Sequence, residues 1–219
     1  MSSEPTSFLY PFIESEERDG SALLVDLATS ARAKVAESRR LRTSTLERCR
    51  AVLAQAGAAM AASFANGGRL FAFGNGGSAT DAEGTVQLFC DPPYGQALPA
   101  LSLVDDQAVL TALANDVGYD LAFSRQLIAH AHAGDIAIGF STSGDSVNML
   151  RAFEEASRRG LLTIGLCGYE KAAMARSDAV EYCLVVHSES VHRIQESHDA
   201  LLFELWTIVQ RHLDQEGTS

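Results

Sequence analysis

Two short stretches of this chain carry residue types that suit an anion. The first is Gly74-Asn75-Gly76-Gly77-Ser78, which follows the apolar run Leu70–Phe73 and precedes a helical stretch. Glycines let a backbone turn sharply and approach a ligand closely. The free N–H groups at the next helix start then favour negative charge. The second stretch is Ser141-Thr142-Ser143-Gly144-Asp145-Ser146, between the run Ile136–Phe140 and a helical stretch from Val147 to Arg158. Helix capping accounts for one or two of these polar side chains, not for four hydroxyls. Hydroxyls and backbone amides together hold a phosphate without any Lys or Arg. Asp145 is repulsive in such a loop and is expected to turn away and accept from the amides of the following helix. Neither stretch is GxxxxGK[ST] or GxGxxG, so a dinucleotide is disfavoured.

Loops of this kind need strands that end beside helix starts, and the pattern supplies them. The runs Leu70–Phe73, Ala100–Val104, Ile136–Thr142, Leu162–Leu166 and Tyr182–Val186 have strand character. They alternate with helical stretches near 78–89, 107–132, 146–159, 171–176 and 191–214. Alternation predicts an α/β fold, a three-layer αβα sandwich with a parallel sheet. Ligands then bind beyond the carboxyl ends of the strands, where both stretches fall. Upstream, Leu24, Leu27, Ala28, Ala31 and Val35 keep helical spacing. A second helix is expected to start near Ser44, with Glu47 completing a capping box and Leu46, Cys49, Leu53, Ala56, Met60 and Phe64 as its stripe. Asn66-Gly67-Gly68 ends it. Residues 1–20 read as an irregular arm whose Phe8, Leu9, Tyr10, Phe12 and Ile13 suit docking on another surface.

Composition bounds the function. The chain has 219 residues, 47% of them hydrophobic and 21% charged, which fits a globular protein that needs no staples. Lys and Arg number 17 against 28 Asp and Glu, a net charge of −11 that weighs against nucleic-acid binding. An arginine cluster at Arg32–Arg50 reads as a solvated face. No apolar run approaches a membrane span, and no secretory signal opens the chain. Cys49, Cys90, Cys167 and Cys183 form no CxxC pair and read as buried free thiols in a reducing cytoplasm.

Four ordered segments resemble the sugar isomerase (SIS) domain family. They are GNGGSATDA (74–82), LTALANDVGYD (110–120), AGDIAIGFSTSGDSVN (133–148) and RIQESH (193–198). Within that family the sequence looks most like the phosphoheptose isomerase group, which includes a sister protein that binds a bacterial replication initiator. The resemblance runs from about Leu46 to Leu213 and divides the chain into an arm and helix, 1–45, and a phosphosugar-binding domain, 46–219. It implies a flavodoxin-like five-stranded parallel sheet, a homotetramer, a cytoplasmic protein and sugar phosphate sites between subunits. It implies phosphate contacts from Ser141, Thr142, Ser143 and Ser146, and sugar contacts from Asn75, Gly76, Ser78, Asp106 and Gln195. The sister protein adds a protein partner to the expectations.

Isomerases of this group interconvert sedoheptulose 7-phosphate and a heptose 7-phosphate. The shift needs a base to move a proton between C1 and C2, and an acid or metal to polarise the carbonyl. In the family a His and a Glu on the helix after GNGGS join a Gln and a His on the last long helix in a zinc and acid–base site. Counted onto this sequence, those positions fall on Gly84, Leu88, Gln195 and Phe203. Only Gln195 is kept, and one Gln does not replace a four-ligand site, so no metal and no cofactor are expected. Glu83 and Gln87 are four apart but one residue out of phase, about 100° around the helix. Glu196 and His198 are the candidate catalytic pair for proton transfer without metal. His192 as a general acid and His187 at a strand end are lesser candidates; His130, His132 and His212 read as surface or packing residues. Three functions follow: a phosphosugar-binding protein without the usual isomerase machinery, an isomerase with a rearranged site, or an interaction protein.

Overall fold

The computed structural model describes residues 20–216, so most of the arm read at 1–20 lies outside the described residues. The chain forms two compact units, residues 1–39 and 40–219. Helix α1 spans Gly20–Ala65. Within the first unit its Leu23, Leu24, Val25, Leu27 and Val35 are exposed, so the upstream stripe is helical but not buried.

The break expected near Ser44 does not occur. No Gly or Pro stands between Ser21 and Ala56, and the Ser44 hydroxyl donates to the Leu41 carbonyl at 3.0 Å, bonding back along a continuing helix instead of capping a new one. The downstream stripe faces the core: Cys49, Leu53, Ala56, Met60 and Phe64 are buried, while Leu46 is half-buried against them.

Beyond α1 the second unit alternates strands and helices. In order these are β1 (Leu70–Gly74), α2 (Gly77–Cys90), β2 (Ala100–Ser102), α3 (Gln107–Asp116), α4 (Ala122–His130), β3 (Ile136–Ser141), α5 (Val147–Arg158), β4 (Leu162–Cys167), β5 (Tyr182–Val185) and α6 (Val191–Glu216). The strands form one parallel sheet in the order β2-β1-β3-β4-β5. β1 and β3 are buried along their whole length, as strands covered on both faces must be. α2 packs with α6, and α4 packs with α5. Phe71, Phe73, Phe140 and Phe153 are fully buried among the largest core side chains.

Two helical expectations are corrected. The stretch 107–132 is two helices, because the amides of Val117 and Gly118 both return to the Leu113 carbonyl and close α3, and a short 3-10 turn at Tyr119–Leu121 leads into α4. The stretch 171–176 reduces to a 3-10 turn at Met174–Arg176. β2 is shorter than its apolar run, although the Leu103 amide still reaches the Ala72 carbonyl at 2.9 Å. Among the described residues no helix is long and apolar enough to cross a membrane.

Candidate functional site

With this strand order the chain reverses its direction of winding between β1 and β3, and ligands of open α/β sheets bind at such a switch point. Both anion-suited loops leave the sheet there. One follows β1 and the other follows β3, and the two strands are hydrogen-bonded neighbours.

A pair of amides ties the loops together. Asn75 Nδ2 donates to Asn148 Oδ1 at 2.9 Å, and Asn148 Nδ2 donates back to Asn75 Oδ1 at 2.9 Å. The Tyr119 hydroxyl also donates to Asn75 Oδ1 at 2.9 Å. The first turn of α5 is therefore held against the loop after β1. Sequence reasoning missed Asn148 and Tyr119 as site residues. A signal existed for Asn148: it is in helical phase with the buried Ala152 and Ala156, a polar residue on an apolar stripe.

The loop after β3 folds back on its own hydroxyls. Ser141 Oγ accepts from the Gly144 amide at 3.0 Å, and Ser143 Oγ accepts from the Asp145 amide at 3.3 Å. Gly144 has φ +69, and a Cβ there would meet Ala172 and Cys167, so the turn admits only glycine without strain. Ser146 is the N-cap of α5 but makes no side-chain capping bond. The positive end of α5 is thus left facing the loop without its own cap. Asp145 turns away as expected, toward the β4 side rather than the α5 amides: its Oδ1 accepts from the Ala173 amide at 2.7 Å.

The sugar-side residues are distributed along the same edge of the sheet. Ser78 is buried, and its amide bonds the Asn75 carbonyl at 3.0 Å. Gly76 lies exposed ahead of α2. The Gln195 amide group stands against Gly77 so closely that a Cβ at Gly77 would overlap it. Asp106 lies beyond β2 and caps α3, its Oδ1 accepting from the Val109 amide at 3.0 Å.

Glu196 and His198 are not brought together. They are two residues apart on α6, about 200° around the helix. Glu196 is exposed and pairs with Arg193 at 3.7 Å, while His198 is fully buried and faces Asp81 of α2 at 3.8 Å. Asp81 was not singled out from the sequence. Its signal was phase, since Asp81, Thr85 and Phe89 form one buried stripe. Burial first, and repulsion from Asp81 second, push the Asp199 carboxyl up. Glu83 and Gln87 line a groove with Leu101 and Ser102 of the edge strand, away from α6. His187 pairs with Glu170 at 3.1 Å beside the end of β5, and His192 is exposed at the start of α6.

The positions onto which the family's zinc ligands map hold an apolar surface. Gly84 is exposed with open space where a Cβ would stand, Leu88 is half-buried, and Phe203 is half-exposed with its ring 5.3 Å from that of Trp206. Gly, Leu and Phe offer no donor, so these residues do not fit a zinc ion. Among the described residues no three His, Cys, Asp or Glu side chains are grouped to hold a metal.

The thiols are free, but not all are buried. Cys49 and Cys167 are, Cys90 is exposed and Cys183 is half-buried. Cys167 lies under Gly144, with its sulfur 3.7 Å from that of Cys183. The Cys183 thiol hydrogen-bonds Cys167, which lowers the pKa of Cys167 and raises that of Cys183.

Comparison with known proteins matches this architecture. The SIS domain family matches residues 35–168. A phosphoheptose isomerase of Aneurinibacillus thermoaerophilus is 43% identical over 137 residues, 62% of this chain and 68% of that protein. A phosphoheptose isomerase of Citrifermentans bemidjiense is 41% identical over 157 residues, 69% of this chain and 79% of that protein. The solved phosphoheptose isomerase of Neisseria gonorrhoeae superposes with a TM-score of 0.78 at 33% identity, over 84% of this chain and 99% of that one. A sheet wound about β1 and β3, two loops at its switch point and this degree of identity lead to one conclusion: the chain belongs to the SIS domain family and is a homologue of the phosphoheptose isomerases.

Proposed function

We propose that this protein binds a sugar phosphate of the sedoheptulose 7-phosphate type and lacks the metal and acid–base groups with which its relatives' family moves a proton along such a sugar. The observation that carries the reading is the uncapped start of α5 beneath the hydroxyls of Ser141, Thr142, Ser143 and Ser146, tied by Asn148 to the loop after β1. Neutral donors and a helix start give a phosphate its hydrogen bonds and a favourable field. Asn75, Gly76, Ser78, Asp106 and Gln195 line the sheet edge on which the sugar would lie. The surface at Gly84, Leu88 and Phe203 supports the loss of chemistry, since none of the three transfers a proton.

A ligand that binds only the folded protein raises its melting temperature. Thermal unfolding with sedoheptulose 7-phosphate is therefore expected to shift upward, and no shift at millimolar ligand would sink the binding reading. A second reading, an isomerase with a rearranged acid–base pair, is favoured by the relatives' identity of about 40%. Solvent deuterium appearing in the sugar would establish it.

The proposal extends to assembly. The exposed apolar residues of α1, Leu23, Leu24, Val25, Leu27 and Val35, support a homotetramer or a protein partner, because large apolar side chains gathered in the open mark an interaction surface. Light scattering at micromolar concentration tests the tetramer, and a monomer would remove it.

A further inference from the structure

Both ring nitrogens of His198 and Oδ2 of Asp81 are buried without a hydrogen-bond partner. Nδ1 and Oδ2 stand 3.8 Å apart, within reach of charge pairing and beyond hydrogen-bond distance. Interior groups with unused hydrogen-bonding capacity are costly and are kept where something compensates. Here three segments of the sugar phosphate site meet. Asp81 is one turn after Gly77-Ser78 on α2. His198 is one turn after Gln195 on α6. The His198 ring is 6.1 Å from that of Phe140, the residue before Ser141.

The two helices make successive rungs. Gly77 touches Gln195, and one turn on Asp81 faces His198. The charged group that senses both members of the pair is Asp199 of α6, whose carboxyl is acted on by Asp81 and His198 and, beyond them, by Glu196 of α6 and Arg42 of α1. The face toward β3 is the Phe140 ring.

We propose that Asp81 and His198 are a positioning pair: joined across the α2–α6 seam, they set where Gly77-Ser78, Gln195 and Ser141 stand around a bound sugar phosphate. Both are buried, so neither touches the ligand. The inference rests on the phosphosugar reading of the site.

The test is titration calorimetry of sedoheptulose 7-phosphate into wild type, D81N, H198Q and the double variant, with thermal unfolding of each in parallel. Nitrogen NMR of the His198 ring in wild type, with and without the sugar, completes it. Each single variant is expected to weaken binding at least about fivefold, within the range of coupling between contacting residues, and the double variant no more than the worse single. The ring resonances of wild-type His198 are expected to move as the site saturates. A packing role alone would lower melting temperatures while leaving both the affinity of the folded variants and the ring resonances unchanged, and that result overturns the proposal. Should a variant fail to fold, the wild-type ring resonances decide. Wild type that binds no sugar phosphate overturns the reading of the site and this role with it; wild type and variants that bind alike overturn the positioning role alone.

Discussion

The loop after β3 and the seam between α2 and α6 meet near the start of α2 and have opposite characters. In the loop, hydroxyls and amides remain available at an uncapped helix start, and the one carboxylate, Asp145, is turned aside to Ala173. Along the seam Asp81 and His198 are buried as a pair, and on the same two helices Gly84, Leu88 and Phe203 offer no donor. Under the proposed function, the contrast means that gripping a phosphate and moving a proton depend on separate residues of one scaffold. Loop geometry serves the first, donor side chains on helices the second, and one can change without the other.

The loop side breaks most severely at its turn. Gly144→Val places a branched side chain at φ +69 against Ala172 and Cys167, with backbone strain of roughly 1–3 kcal/mol before any clash. Loss of measurable sugar phosphate binding at millimolar ligand is expected, along with a lower melting temperature. Affinity equal to wild type would show that the loop does not hold the phosphate.

The seam side can be sharpened by restoring donors. The triple variant G84H/L88E/F203H, together with native Gln195, is expected to bind zinc more tightly than wild type, measured by competition with a chromogenic chelator. Gly84 accepts a side chain without collision, since open space lies where its Cβ would be. A triple variant with no gain in zinc affinity would mean that these positions do not converge, and the proposed loss of chemistry would lose its support.

Between the two regions stands the amide pair. Asn148→Ala removes the acceptor of Asn75 Nδ2 while the Tyr119 hydroxyl still bonds Asn75 Oδ1, and losing one hydrogen bond at this half-buried amide costs about 1–1.5 kcal/mol. A roughly tenfold loss of affinity follows if that cost falls on the bound state, read by calorimetry. The smallest effect is expected at Asp199. Burial and the Asp81 charge make its ionised form costly in the folded state, so the penalty is present once the carboxyl ionises and absent in acid. Asp199→Asn is expected to raise the melting temperature slightly at pH 7 and leave it unchanged near pH 3.

The strands were legible because a buried parallel strand is a short apolar run, and Ile136–Phe140 could hardly be anything else in this pattern. The two anion loops were legible because Gly and Ser crowd strand ends for few other reasons. Helix α1 was misdivided because Ser44 and Glu47 imitate a capping box, and only the absence of Gly and Pro spoke against a break. The amide staple was hidden by distance along the chain: Asn75 and Asn148 are 73 residues apart, Asn75 and Tyr119 44. Glu196 and His198 looked like a pair because they are neighbours in sequence, yet two residues on a helix point to opposite sides. The partner of His198 lies on a different helix, and no local pattern names it.

The claim that joins both regions is that the sugar phosphate is held but its hydrogens are not exchanged. Sedoheptulose 7-phosphate in deuterated buffer, with enzyme-scale amounts of protein and NMR detection, tests it most directly. The account predicts saturable binding with no deuterium at C1 of the ketose and no aldose product. Deuterium at C1, or at C2 of a newly formed aldose, would contradict it.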